Sequence, residues 1–297
     1  MKIDGKVALR RMGYIVLWSV IVLFALRLCF FDMYRIPSSS MKNKLKRGDY
    51  IFVNKTNYGG YLSGLFRKLS VTDTPHLNEI YVFTIKKEMP GFFVKRCIGL
   101  PGSGIEIENG VVKVDGKAVV EPLSVRHYYK IWYNDLSEVN AEIKRANIDK
   151  FENSYRKFGR YVFIALDQYQ KEKLKKGIDS ITRYNILHDS DRIVVKEAML
   201  KENSLDMPLL IIPSIGMKVY FDQQDCLFYE NAIRCYEDTS FHRSGAYCYI
   251  KGKRVDSYIF KRNYLFMMGD NRDIAVDSRR YGLIPEENLV GKYMFCL

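Results

Sequence analysis

Three stretches, far apart in the chain, carry side chains that could do chemistry together. Ile36-Pro37-Ser38-Ser39-Ser40-Met41 offers three hydroxyls behind a proline. Phe93-Val94-Lys95-Arg96-Cys97-Ile98 sets a lysine inside an apolar run. Met267-Met268-Gly269-Asp270-Asn271-Arg272-Asp273, continuing to Asp277-Ser278-Arg279, is a glycine- and Asp/Asn-rich loop. A serine hydroxyl is a weak nucleophile until a base takes its proton. A lysine kept from water loses its charge more readily and becomes such a base. Each stretch also has a plainer reading. Serines after proline form turns, a strand lysine can face solvent, and the loop's charges can pair with one another. Calcium binding by the loop lacks EF-hand spacing.

The elements that must position these residues read mainly as strands. Tyr50-Ile51-Phe52-Val53, Ile80 to Ile85 and Phe92 to Ile98 are β-branched and aromatic runs. Pro101-Gly102-Ser103-Gly104 is a turn, and Ile105 to Lys117 forms a hairpin about Asn109-Gly110. From Ala118 to Lys261 the pattern turns mixed. Asp135-Leu136-Ser137-Glu138 is a capping box that opens a helix. Asp167 to Lys176, closed by Gly177, predicts a second, and Asp222 to Glu237 a third. Strands return at Tyr247 to Ile250 and Tyr258 to Phe266.

Ahead of all this lies an apolar segment, Met12 to Phe31, interrupted only by Arg27. About 20 apolar residues span a bilayer core as a helix. No small-residue cleavage step follows, since the chain continues Phe31-Asp32-Met33-Tyr34-Arg35. An uncleaved anchor is therefore expected. Lys2, Lys6, Arg10 and Arg11 place its N-terminus in the cytoplasm and the rest outside. The formal charge of +13 is spread from end to end, without the dense basic blocks of a nucleic-acid arm. Nucleic acid is thus not expected as a partner, and the lipid bilayer is. Six cysteines show no C-x-x-C pair, so neither a disulfide scaffold nor a zinc site is expected. The bridging of Cys226, Cys235 and Cys248 stays open.

Taken together, the anchor and the three motifs resemble the type I signal peptidase (leader peptidase) family. That pattern is an N-terminal anchor, P-S-x-S-M, a strand with K-R followed by G-x-P-G, then G-D-N-R with D-S-R. All four stand here in that order. The resemblance implies a membrane-anchored serine endopeptidase that removes signal peptides from exported preproteins through an acyl-enzyme, with no cofactor or metal. It makes Ser40 the nucleophile and Lys95 the general base. Ser38 and the Ser40 N–H become oxyanion donors. Arg96, Gly269, Asp270, Asn271, Asp277, Ser278 and Arg279 become the supporting loop and its partner. Tyr34, Ile36, Pro37, Met41, Leu45 and Val94 become the substrate-binding residues. The histidines (His76, His127, His188, His242) lie outside every motif.

The expected fold is a mainly β catalytic core of antiparallel sheets, or barrel-like, with an α+β insertion and one transmembrane helix. Its segments are a tail (1–12), an anchor (13–31), the first catalytic part (32–117), a variable insertion (118–261) and a return segment (262–297). The expected location is the cell membrane, single-pass, with the catalytic domain on the extracytoplasmic side. Four residues depart from the family pattern: Asn43-Lys44 replaces Pro-Thr, Ser103 replaces an aspartate, and Ala275 replaces a serine whose hydroxyl helps hold the lysine amine. Ala275 motivates the alternative of a weakly active or inactive homologue that binds exported peptides. A self-cleaving repressor also pairs Ser with Lys, but it needs a helix-turn-helix where this chain has its apolar segment.

Overall fold

A computed structural model describes residues 5–58, 74–85, 91–108, 110–175, 178, 180–183, 207–221, 225–245 and 247–297. The central element is a seven-stranded sheet. Its order is Phe31–Arg35, Tyr50–Asn54, Leu289–Cys296, Ile80–Thr84, Phe92–Gly99, Tyr264–Met268 and Ile284–Pro285. Every neighbouring pair is antiparallel. The sheet is a half-barrel rather than a closed barrel, with Phe31–Arg35 and Ile284–Pro285 at its edges among the described residues, and register shifts in three of its pairings give it curvature. One face gathers Ile36, Met41, Leu45, Ile51, Val53, Ile80, Val82 and Val94 into an apolar cluster. A second cluster holds Tyr81, Phe83, Cys97, Leu265, Met267 and Ile284. The two clusters follow from alternation: along Ile80–Thr84 and Phe92–Gly99 successive side chains go to opposite faces, and both faces are covered.

The Arg126–Trp132 and Tyr161–Asp167 strands lie at the centre of a separate four-stranded sheet. Its buried face, with Tyr129, Ile131, Val162, Ile164 and Leu166, packs on Val139, Ile143 and Leu174. Those three come from two helices, Leu136–Arg145 and Gln168–Lys175. Asp135 caps the first by accepting the Ser137 N–H at 2.8 Å. Asp167 accepts the Gln170 N–H at 2.8 Å at the start of the second; Gly177 lies outside the described residues. The hairpin Gly104–Glu108 with Val111–Val114 forms as expected, Gly110 taking φ +73; Asn109 is outside the described residues. This hairpin pairs with Met207–Ile211, and its core includes Tyr229, Phe260 and Phe266. One apolar cluster thus draws on segments to either side of residue 118.

The structure corrects two readings. The expected single strand from Tyr258 to Phe266 is two, Ser257–Ile259 and Tyr264–Met268, in different sheets. The turn at Lys261-Arg262-Asn263 separates them, and Phe260 is buried at its start. The N-terminal helix runs Gly5–Cys29, not 13–31. It stops because Phe31 already pairs with Asn54 as the first strand residue. Among the described residues no helix is long and apolar enough to cross a membrane.

Candidate active site

Lys95 sits mid-strand opposite Tyr81 and is 3% exposed. Its Nζ lies 2.7 Å from Ser40 Oγ and 3.0 Å from the Val94 carbonyl. Burial pushes the amine down from 10.5 to about 8, against the opposing pull of the Asp277 and Asp270 carboxylates. Ser40 is partly buried within the loop that joins the edge strand Phe31–Arg35 to Tyr50–Asn54. Ser38 Oγ lies 3.3 Å from Ser40 Oγ and is exposed. The geometry joins a hydroxyl to an amine that loses its proton far more easily than a solvated lysine, which is what base-assisted nucleophilic attack needs.

The third motif locks these two in place. The Asn271 N–H donates to the Ser40 carbonyl at 2.9 Å and its side chain donates to the Ser39 carbonyl at 3.1 Å. Gly269 is required by close approach, since a Cβ there would lie 2.5 Å from Ala275 Cβ and 2.7 Å from the Ser40 carbonyl oxygen. Arg96 and Asp270 form a buried bidentate pair at 2.8 and 2.6 Å, and Ser124 Oγ donates to the same carboxylate at 2.7 Å. Asp277 accepts the Gly269 N–H at 3.0 Å and two Arg279 N–H groups at 2.8 and 2.7 Å. Ser278 Oγ accepts the Met267 N–H at 2.9 Å. The loop's charges therefore pair, as its plainer reading held. That pairing makes the loop rigid around Ser40.

The expected substrate-binding residues divide. Ile36, Met41, Leu45 and Val94 are buried in one cluster, at 0 to 7% exposure. Tyr34 packs edge-on against Phe92 at 4.7 Å, and Pro37 is exposed. The Phe92–Lys95 half of its strand has no partner on the side away from Ile80–Thr84 among the described residues. Pairing with Tyr264–Met268 begins only at Arg96.

Comparison with known proteins agrees with the motifs. The family model for signal peptidase, peptidase S26, matches residues 9–157 and 212–297. The chain belongs to this family. Signal peptidase I of Buchnera aphidicola subsp. Schizaphis graminum is 27% identical over 278 residues, 91% of this chain and 69% of that one. Signal peptidase I of Aquifex aeolicus is 23% identical over 260 residues, 87% and 72% of the two chains. Signal peptidase I of Pseudomonas aeruginosa is 34% identical over a shorter stretch of 103 residues, 34% and 36%. This member of the signal peptidase family is accordingly a peptidase, a hydrolase.

Sequence reasoning missed part of the family member's site. Ala275, which the sequence did single out, is buried at 1% beside Gly269; what the sequence did not show is that the second partner of the Lys95 amine is the Val94 backbone carbonyl. Glu121 bonds both the buried Arg272 and His127. Burial would raise the Glu121 carboxyl, but His127 and Arg272 hold it at about 2. Asp273 accepts the Tyr128 N–H, and its carboxyl is raised by burial. Arg126 is joined to the loop by its main chain, its N–H donating to the Asp270 carbonyl at 2.8 Å. His127 is a buried core residue whose imidazole pKa is lowered by burial. Cys248 is disulfide-bonded and Cys235 is free, while His188 lies outside the described residues. Only a charged residue in an otherwise apolar strand, as at Arg126 and His127, hinted at any of this.

Proposed function

We propose that the chain removes signal peptides from exported preproteins with Ser40 as nucleophile and Lys95 as general base. The observation that carries this reading is the buried amine 2.7 Å from the Ser40 hydroxyl, lowered to about 8. Neutral Lys95 takes the Ser40 proton as Oγ attacks the scissile carbonyl. The tetrahedral oxyanion is received by the Ser40 N–H and the Ser38 hydroxyl. Its collapse breaks the peptide bond, and the lysine proton passes to the departing amine. Lys95 then deprotonates a water that hydrolyses the ester. Each oxyanion donor is worth about 3 kcal/mol in the transition state.

The substrate lies extended along the open side of Phe92–Lys95, opposite Tyr34 and Ile36, with its small side chains over Val94, Met41 and Leu45. Arg96, Gly269, Asp270, Asn271, Asp277, Ser278 and Arg279 hold the pair rigid. The helix Gly5–Cys29 serves as a membrane anchor with its N-terminus in the cytoplasm and the catalytic part outside. The support for this is a helix whose apolar side chains are open all round, Leu9, Ile15, Trp18 and Phe24 at 63 to 72% exposure. Residues 118–261 act as an insertion between the two catalytic parts.

The deciding experiment is cleavage of a signal-peptide substrate by the full chain beside Ser40→Ala and Lys95→Ala. Both variants are expected to lose activity by a factor on the order of 10⁴ or more, and wild-type kcat/KM to rise with pH through about 8 as Lys95 sheds its proton. Equal cleavage by all three proteins ends the Ser/Lys reading, and recovery of the chain outside the membrane fraction ends the anchor.

A further inference from the structure

The turn after Ser40 has an unusual backbone. The Lys42 N–H donates to the Ser39 carbonyl at 3.1 Å, and the Lys44 and Leu45 N–H groups donate to the Met41 carbonyl at 3.1 and 2.8 Å. Between them Asn43 takes φ +80, a left-handed conformation that few residues other than glycine adopt, asparagine chief among them. The Asn43 side chain is not spent on its own backbone. Its Nδ2 donates to Asp167 Oδ2 at 3.0 Å, 124 positions along the chain. Next to it Lys42 pairs with Glu152 at 2.8 Å, and both ties lie at the exposed rim of the turn.

Asp167 is itself fixed. Its other oxygen accepts the Gln170 N–H at 2.8 Å, and it lies opposite Arg126 in the antiparallel ladder. Arg126 is 2% exposed, and its guanidinium donates to the Ala165 carbonyl at 2.9 Å and the Glu152 carbonyl at 3.2 Å. Its main chain grips the loop of the third motif, donating to the Asp270 carbonyl at 2.8 Å and accepting the Arg272 N–H at 3.1 Å. That loop returns to Ser40 through the Asn271 N–H. A closed circuit results: Ser40, the Asn271 loop, Arg126, Asp167, Asn43 and back to Ser40.

We infer that Asn43 and Asp167 are positioning residues through which the Arg126–Asp167 sheet pins the turn after Ser40, keeping the hydroxyl on the Lys95 amine. The inference rests on Ser40 and Lys95 being the reacting pair. It gives the Arg126–Asp167 sheet a positioning part in the reaction. The two residues touch neither substrate nor the reacting atoms and act only by holding the turn.

The test is an isosteric swap in the full chain, assayed on a signal-peptide substrate. Asn43→Asp alone sets two carboxylates against each other and is expected to lower kcat about fivefold, with KM within about twofold. The acid limb of its pH profile moves above the wild-type position as water reaches the amine. Asn43→Asp with Asp167→Asn restores one donor and one acceptor with the roles reversed. It is expected to return kcat and the limb to within about twofold of wild type. Asn43→Gly keeps the backbone and loses the tie, and should lower kcat about threefold. An unchanged kcat in both single variants, or a swapped pair no better than Asn43→Asp, overturns the positioning role. Ser40→Ala and Lys95→Ala run alongside separate the two failures. If they stay active the Ser/Lys reading falls; if they are dead and the swap shows no coupling, only this inference falls.

Discussion

Keeping an amine dry opposes folding, and the size of that opposition can be measured with Lys95→Met. Methionine matches the length of the lysine stem and needs no desolvation of a charge. In the folded chain the Lys95 ammonium is lowered from 10.5 to about 8, chiefly by burial. That drop is worth about 3 kcal/mol, at 1.36 kcal/mol for each factor of ten in proton affinity. The sign follows from linkage. Below about pH 8 both folded and unfolded chains carry the proton, and the full penalty weighs on the folded state. Between about 8 and 10.5 the unfolded chain binds more protons than the folded one, so stability rises with pH. Above 10.5 the penalty is gone. Lys95→Met is therefore expected to be inactive yet more stable than wild type at pH 7, by up to about 3 kcal/mol. The lost contacts to Ser40 Oγ and the Val94 carbonyl reduce this by about 1 kcal/mol. Urea unfolding of the full chain in detergent, run at pH 7 and again at pH 10.5, reads both figures. A variant less stable than wild type at pH 7, or a difference that does not shrink toward pH 10.5, refutes the account of a dry amine.

Two further substitutions probe the loop. Gly269→Ala would put a methyl 2.5 Å from Ala275 Cβ and 2.7 Å from the Ser40 carbonyl oxygen, and the second neighbour is backbone. A loss of about 1 to 3 kcal/mol of stability is expected, and kcat should fall more than KM rises because Ser40 is what gives way; steady-state kinetics with urea unfolding checks both. Asp270→Ala strands the buried Arg96 guanidinium, at a cost of about 3 to 5 kcal/mol, so its urea midpoint should drop well below that of wild type.

What could be read in the sequence was whatever leaves a local trace. The apolar neighbours of Lys95 raised burial as one of two alternatives, solvent being the other, and a strand between two covered faces has nowhere wet to put a side chain. Asp135 and Asp167 announced helix starts, because a cap acts over two or three residues. Pairing over long distances left no such trace. The last strand, Leu289–Cys296, lies between Tyr50–Asn54 and Ile80–Thr84, in the middle of the sheet, though nothing in its residues says so. The run from Tyr258 to Phe266 keeps one apolar character while its halves belong to different sheets. The apolar segment at the N-terminus ends in the helix at Cys29 and continues as strand from Phe31, since hydrophobicity alone does not record where a helix gives way to a sheet edge.

The stretch from Glu121 to Asp167 was hardest to read because its contribution to the site is polar. Glu121, Ser124, Arg126 and Asp167 look like solvent-facing residues when met one at a time, and a charged side chain is almost never buried unless it is paired. Each has a partner that only the folded chain supplies: Arg272, Asp270, the Glu152 and Ala165 carbonyls, and Asn43. A half-satisfied polar network is worse than none, so these residues cannot vary one by one without disturbing the loop that holds Ser40. At their contact with the catalytic loop these few polar side chains therefore act as one set, tied through the loop to Ser40.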